Sequence, residues 1–143
     1  AIRAVNARHD SERLPVRADE QVLTVVERDA VLRHPPGPAA ERLRLLEQRD
    51  LSWTKLNEIP GVSCVKPEGA LYVFPRLDPE VHDIVDDEKL VLDLLLDEKI
   101  LVTQGTGFNW PSPDHLRIVT LPWARDLANA IERLGNFLAG YRQ

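Results

Sequence analysis

Methionine is missing altogether from this 143-residue sequence, even at position 1. The expectation is a piece of something longer, or a product that has lost its start. Cysteine is nearly missing, since Cys64 stands alone. No intramolecular disulfide can form, and a reducing, cytoplasmic setting is the simpler expectation. Set in an apolar, strand-like segment with no base nearby in sequence, Cys64 reads as a small core residue rather than a nucleophile. Long hydrophobic runs are missing too. The longest, Leu90 to Leu96, is broken by Asp93 and falls far short of the ~20 residues that span a bilayer. No secretory signal opens the chain. Nor is there an excess of positive charge: the net charge is −5, which argues against nucleic acid or an anionic membrane as the main partner.

What is present suits one domain with a real core. The hydrophobic share is 43% and the charged share 29%, ordinary for a globular protein. Residues 1–38 differ from the rest. Arg3, Arg8, Arg13, Arg17, Arg28 and Arg33 are scattered among acids with little apolar periodicity. A short helix could form over Asp19 to Leu32, but His34-Pro35-Pro36-Gly37-Pro38 ends regular structure. These residues read as an arm or linker. A basic nucleic-acid arm is one reading, and a solvated segment is the plainer one, because the acids are interspersed.

From residue 39 onward the signals sharpen. Pro38 to Glu58 predicts a helix with Leu43, Leu46, Trp53 and Leu56 along one stripe, stopped by Pro60-Gly61. Val62 to Val65 is a short strand candidate. Ala70 to Phe74, apolar on both faces, reads as a central strand, and Pro75 to Val85 as loop. Asp86-Asp87-Glu88 opens the next helix, where acids suit the positive end of the helix dipole. Its buried stripe is Leu90, Val91, Leu94 and Leu95. Ile100 to Thr103 and His115 to Leu121 read as strands. Trp123 to Tyr141 reads as the last helix, with Leu127, Ile131, Leu134, Leu138 and Tyr141 on one face. The order implies an α+β fold: a small mixed sheet of three to four strands, covered by helices on one face.

Most chemical constellations find little support. His9, His34, His82 and His115 have no spacing that gathers metal ligands. His82-Asp83 beside Asp86-Asp87-Glu88 reads as an exposed helix start rather than a cation site. There is no Gly-x-Ser-x-Gly elbow, and Gly105-Thr106-Gly107 is too short for a phosphate loop. Arg117 is the exception. It lies in an apolar strand that follows a loop rich in glycine and proline. In a regular strand His115, Arg117, Val119 and Leu121 share one face, and Leu116, Ile118 and Thr120 the other. A charge there needs an anion or a path to water. It pairs with a structural carboxylate, snorkels from a sheet edge, or offers its fork of donors to a ligand carboxylate.

Several stretches carry a resemblance: Arg44 to Asp50, Ile59 to Pro67, Gly69 to Pro75, Gln104 to Pro111 and Asp114 to Pro122. Through them, Leu43 to Gln143 resembles the C-terminal small domain of bacterial alanine aminotransferases. These are pyridoxal-phosphate enzymes of class I/II with the type I fold. The resemblance implies that residues 39–143 form that small domain and that Arg117 binds the α-carboxylate of the substrate. It places Phe108-Asn109-Trp110 near the mouth of the active site. It implies pyridoxal phosphate as cofactor, amino acids and 2-oxo acids as substrates, and a homodimer. It also implies that the Schiff-base lysine, in a Ser-Lys-x-x-Arg context, belongs to the large domain. Lys55, Lys66, Lys89 and Lys99 are the only lysines here and none has that context. No catalytic, cofactor-binding or metal residue is therefore expected in this chain, and no transamination by the chain alone. A non-catalytic protein-interaction module derived from such an enzyme is the alternative.

Overall fold

The computed structural model describes residues 37–143. The expected arm, apart from its last two residues, and the helix expected at 19–32 lie outside the described residues. Helix α1 spans Pro38–Asn57, with proline in its first turn and Lys55 in its last, both favourable ends. Next come β1 (Val62–Ser63), β2 (Tyr72–Val73), β3 (Arg76–Leu77) and a one-turn helix α2 (Pro79–His82). Helix α3 (Asp87–Glu98), β4 (Thr103–Gln104), a 3-10 turn (Thr106–Phe108), β5 (Leu116–Val119) and α4 (Ala124–Gly140) complete the order.

The expected α+β architecture is present. One sheet has three strands in the order β2-β5-β4, and β1 pairs with β3 in a separate ribbon. Where a mixed sheet was expected, every pairing among these strands is antiparallel. The ribbon and the sheet are stitched together. Leu77 N–H donates to the Asp114 carbonyl at 2.7 Å and Leu116 N–H to the Pro75 carbonyl at 3.0 Å, and Arg76 bridges to His115.

The core gathers Leu56, Val73, Leu90, Leu94, Leu116, Ile118, Ile131, Leu134 and Leu138. All are aliphatic, and burial of each contributes about 1.5–3 kcal/mol. Helix α4 supplies Leu127, Ile131, Leu134 and Leu138 at the expected steps and lies mainly against α1. In α3, Leu90 and Leu94 are fully buried and Asp86 caps the start by accepting from Lys89 N–H at 2.9 Å. Among the described residues, the helices pack on the side of the sheet that Leu116 and Ile118 face, and Tyr72, Thr103 and Val119 on the other side are exposed.

Four further expectations are corrected. The stripe of α1 runs through Gln48, Ser52 and Leu56, while Leu43 is exposed. Thirteen residues at about 100° each put Leu43 roughly 140° around the helix from Leu56. Ser52 tolerates burial by donating to the Gln48 carbonyl at 2.7 Å. The strand expected as central is an edge: β5 is the middle strand, and Leu71 and Tyr72 are exposed. The expected loop at 75–85 contains β3 and α2, elements too short to leave a periodic signature. The strand expected at 100–103 pairs only from Thr103 onward, with Ile100 and Val102 buried ahead of it.

Gly61 fixes the turn after α1. Its φ is +73°, and a Cβ there would meet Val81 Cγ1 at 2.6 Å and His82 Nε2 at 2.8 Å. His82 is buried and donates from Nε2 to the Pro60 carbonyl at 3.0 Å, a structural role. Gly61→Ala should cost about 1–3 kcal/mol of unfolding free energy in urea, whereas Gly69→Ala, with open space around it, should stay within about 0.5 kcal/mol. Equal, small effects at both would contradict this account of the turn.

Candidate anion-binding site

Alternation along β5 divides its side chains as the sequence implies. Leu116, Ile118 and Thr120 are buried, Val119 and Leu121 are exposed, and Arg117 is half-buried on the outer side. Register adds neighbours. Arg117 pairs with Thr103 and Val119 with Tyr72, so Tyr72, Thr103, Arg117 and Val119 share the uncovered face. His115 departs from the pattern. It is buried because Phe74 stacks on its ring at 4.9 Å and Trp110 lies 4.3 Å away.

The Arg117 guanidinium carbon lies over the Tyr72 ring, 4.2 Å from its centroid, and over the Phe108 ring at 4.5 Å. Cation–π contacts of this kind contribute about 0.5–2 kcal/mol each. Among the described residues no carboxylate pairs with Arg117, and its buried Nε has no hydrogen-bond partner. The structural-carboxylate reading is therefore not what the described residues form. Aromatic rings accept no conventional hydrogen bond, so the terminal N–H groups of the guanidinium, unlike the buried Nε, remain available to an anion.

The turn that carries Phe108 is held at several points. Gly105 N–H donates to the His115 carbonyl at 2.9 Å, and a Cβ at Gly105 would sit 2.9 Å from that same oxygen. Asp87, buried at the start of α3, accepts from Thr106 Oγ1 at 2.6 Å and from Thr106 N–H at 3.0 Å. Trp110 Nε1 donates to Asp114 Oδ1 at 3.0 Å. Asp114 also accepts from His115 Nδ1 at 2.8 Å and Arg76 Nε at 3.1 Å. Partial burial pushes the Asp114 carboxyl up, but donation by His115, Arg76 and Trp110 outweighs it, and the group sits below its ordinary value of 3.8.

Elsewhere the chemistry is quiet. Cys64 is buried, as expected, and burial pushes its thiol up, which disfavours the thiolate. No cluster of potential metal ligands occurs among the described residues, and none of their helices is long and apolar enough to cross a membrane. A groove of about 430 Å³ lies between α1 and residues 68–71, and Arg117 does not line it. Sequence reading missed Tyr72, Asp87 and Asp114 as neighbours of the site. The apolar setting of Arg117 was the one signal that could have led to them.

Fold and site together define an α+β domain that presents one ring-stacked guanidinium from an uncovered sheet face. The profile of the family "Aminotransferase class I and II" matches residues 29–134, and the chain belongs to that family. It is 86% identical over 100 residues to the alanine aminotransferase of Mycobacterium tuberculosis, covering 70% of this chain and 23% of that protein. It is 57% identical to glutamate-pyruvate aminotransferase AlaA of Escherichia coli over 70% of this chain and 25% of the relative. The crystal structure of an E. coli aminotransferase superposes with a TM-score of 0.68 at 57% identity, over 70% of this chain and 25% of that one. The structure of alanine aminotransferase from Pyrococcus furiosus gives 0.66 at 37% identity, over 72% and 26%. The chain thus spans about a quarter of the length of these relatives.

Enzymes of this family use pyridoxal phosphate, but the described residues do not fit it. Lys66 pairs with Asp50, Lys89 with Asp93, and Lys99 donates to the Leu96 carbonyl. Lys55 sits, half-buried, in the last turn of α1. Helices α1, α3 and α4 each carry an acid in the first turn, which repels a phosphate that a helix start would otherwise attract.

Because its folded value is depressed, Asp114 contributes stability that is complete above 3.8 and is lost as pH falls through the folded value. In denaturant unfolding across pH ~2 to 7, the stability gap between the parent chain and Asp114→Asn should shrink on acidification. A gap that stays constant with pH would contradict this.

Proposed function

We propose that residues 39–143 are the C-terminal small domain of an alanine/2-oxoglutarate-type aminotransferase, in which Arg117 holds the α-carboxylate of the substrate. The observation that carries this reading is the unpaired guanidinium on an open face, stacked on Tyr72 and Phe108. A planar fork of N–H donors matches a carboxylate at two points, and the rings restrict where that fork can point. The names of the relatives, an alanine and a glutamate-pyruvate aminotransferase, favour small amino acids and 2-oxo acids as substrates. Pyridoxal phosphate supplies the electron sink for such reactions. In this reading the cofactor and its lysine come from outside residues 37–143, and this chain contributes binding and orientation. The chain alone does not transaminate.

A second reading, a protein-interaction module, is favoured by one specific observation. Tyr72, Val119 and Leu121 are exposed along the outer side of the sheet, and apolar groups gathered on one side suit a protein partner.

Titration of the purified chain with L-alanine and with acetate, followed by NMR, should perturb Arg117 and its neighbours, and Arg117→Ala should abolish the effect. The chain mixed with pyridoxal phosphate, L-alanine and 2-oxoglutarate should form no pyruvate above background. Turnover would overturn the second expectation, and indifference of Arg117 to both carboxylates would overturn the first. Size-exclusion chromatography separates the two readings, since a monomer at every concentration would count against the module.

A further inference from the structure

We infer that Asp87 and Asp114 are positioning residues, which clamp the two ends of the Gly105–Trp110 turn and thereby hold Phe108 over Arg117. The inference rests on the reading of Arg117 as the carboxylate grip. It starts from an imbalance. Phe108 is 47% exposed, so burial does little to fix its ring, yet the ring lies 4.5 Å from the Arg117 guanidinium carbon. The position must be set by the backbone that carries it.

The turn is tied near both ends by carboxylates from outside it, through the backbone and hydroxyl of Thr106 and through the indole of Trp110. Asp87 uses both oxygens on one residue, taking the Thr106 hydroxyl at 2.6 Å and the Thr106 N–H at 3.0 Å. Asp87 is not the cap of its own helix. Asp86 does that work, at 2.9 Å from Lys89 N–H. A carboxylate only 3% exposed is costly unless hydrogen-bonded, and Thr106, nineteen residues later, supplies the donors. At the other end Asp114 takes the Trp110 indole N–H at 3.0 Å and is itself held by Arg76 and His115. Between the clamps, Phe108 N–H and Trp110 N–H both donate to the Gly105 carbonyl, at 2.9 and 3.2 Å. A turn closed on itself and pinned at each end presents Phe108 in one place before any ligand arrives. Such preorganisation removes an ordering cost from binding.

The test uses the full 143-residue chain, isotopically labelled. The Arg117 Nε–Hε signal is assigned by its loss in Arg117→Lys, and the ring-current contribution of Phe108 by Phe108→Leu. Thr106→Val removes one donor to Asp87 without changing charge, Thr106→Ser restores it, and Asp114→Asn weakens the other clamp. Thr106→Val and Asp114→Asn should move the Arg117 signal towards its position in Phe108→Leu. They should also weaken binding of L-alanine and acetate about three- to tenfold, while Thr106→Ser stays within about twofold of the parent. Unchanged amide signals from α4 establish that the core survives in each variant. If both clamp variants leave the Arg117 signal and the carboxylate affinity as in the parent, the positioning role is overturned while the grip stands. If the signal moves in the variants but the parent ignores both carboxylates, the positioning stands and the grip alone is overturned.

Discussion

A positive charge that no described residue neutralises sets the terms for the outer face of this domain. Taking a guanidinium partly out of water is unfavourable unless its donors are satisfied. Among the described residues Arg117 finds only aromatic faces, Tyr72 and Phe108. Those rings hold its plane without neutralising it. Among the described residues the guanidinium thus stays unneutralised on the outer face of the sheet, and the neighbouring elements hold it in place. Strand β5 runs through the middle of the sheet, and its inward residues Leu116 and Ile118 are locked in the core. The two outward residues, Arg117 and Val119, inherit that rigidity.

The division of labour between the two sides of the sheet follows from this. The inner side is aliphatic and packed by helices, which gives the strand a fixed position. The outer side is a mixture of exposed apolar groups and one charge, a surface that is unfavourable in water by itself. The chain is a member of the class I and II aminotransferase family that spans about a quarter of its relatives. The acids at the helix starts and the engaged lysines leave no place for the family's cofactor among the described residues.

Much of this was legible in the sequence, and the limits are physical. Alternation in β5 assigned Arg117 to the correct face because period 2 is unambiguous once a strand is recognised. The start of α3 was legible because Asp86 is an N-cap residue ahead of an apolar stripe, and α4 because four leucines and isoleucines recur at helical steps. Contacts across elements were not legible. Tyr72 reaches Arg117 through strand register, and Asp87 reaches Thr106 across nineteen residues. Neither distance is encoded in local pattern, and an acid in a first helical turn has a sufficient local explanation. The stripe of α1 misled for a different reason. Its buried line includes Gln48 and Ser52, and a hydrophobic template passes over polar residues that are buried by the packing of α4. Strands of two residues, such as β3, carry too little periodicity to be seen at all.

The most direct measurement is a crystal structure of the chain grown or soaked with L-alanine. The account places the ligand's carboxylate in contact with the Arg117 guanidinium, on the outer face beside Tyr72 and Phe108, with the turn unchanged. A structure in which Arg117 has swung onto an aspartate or glutamate of the same chain, leaving no room for an anion, would contradict it.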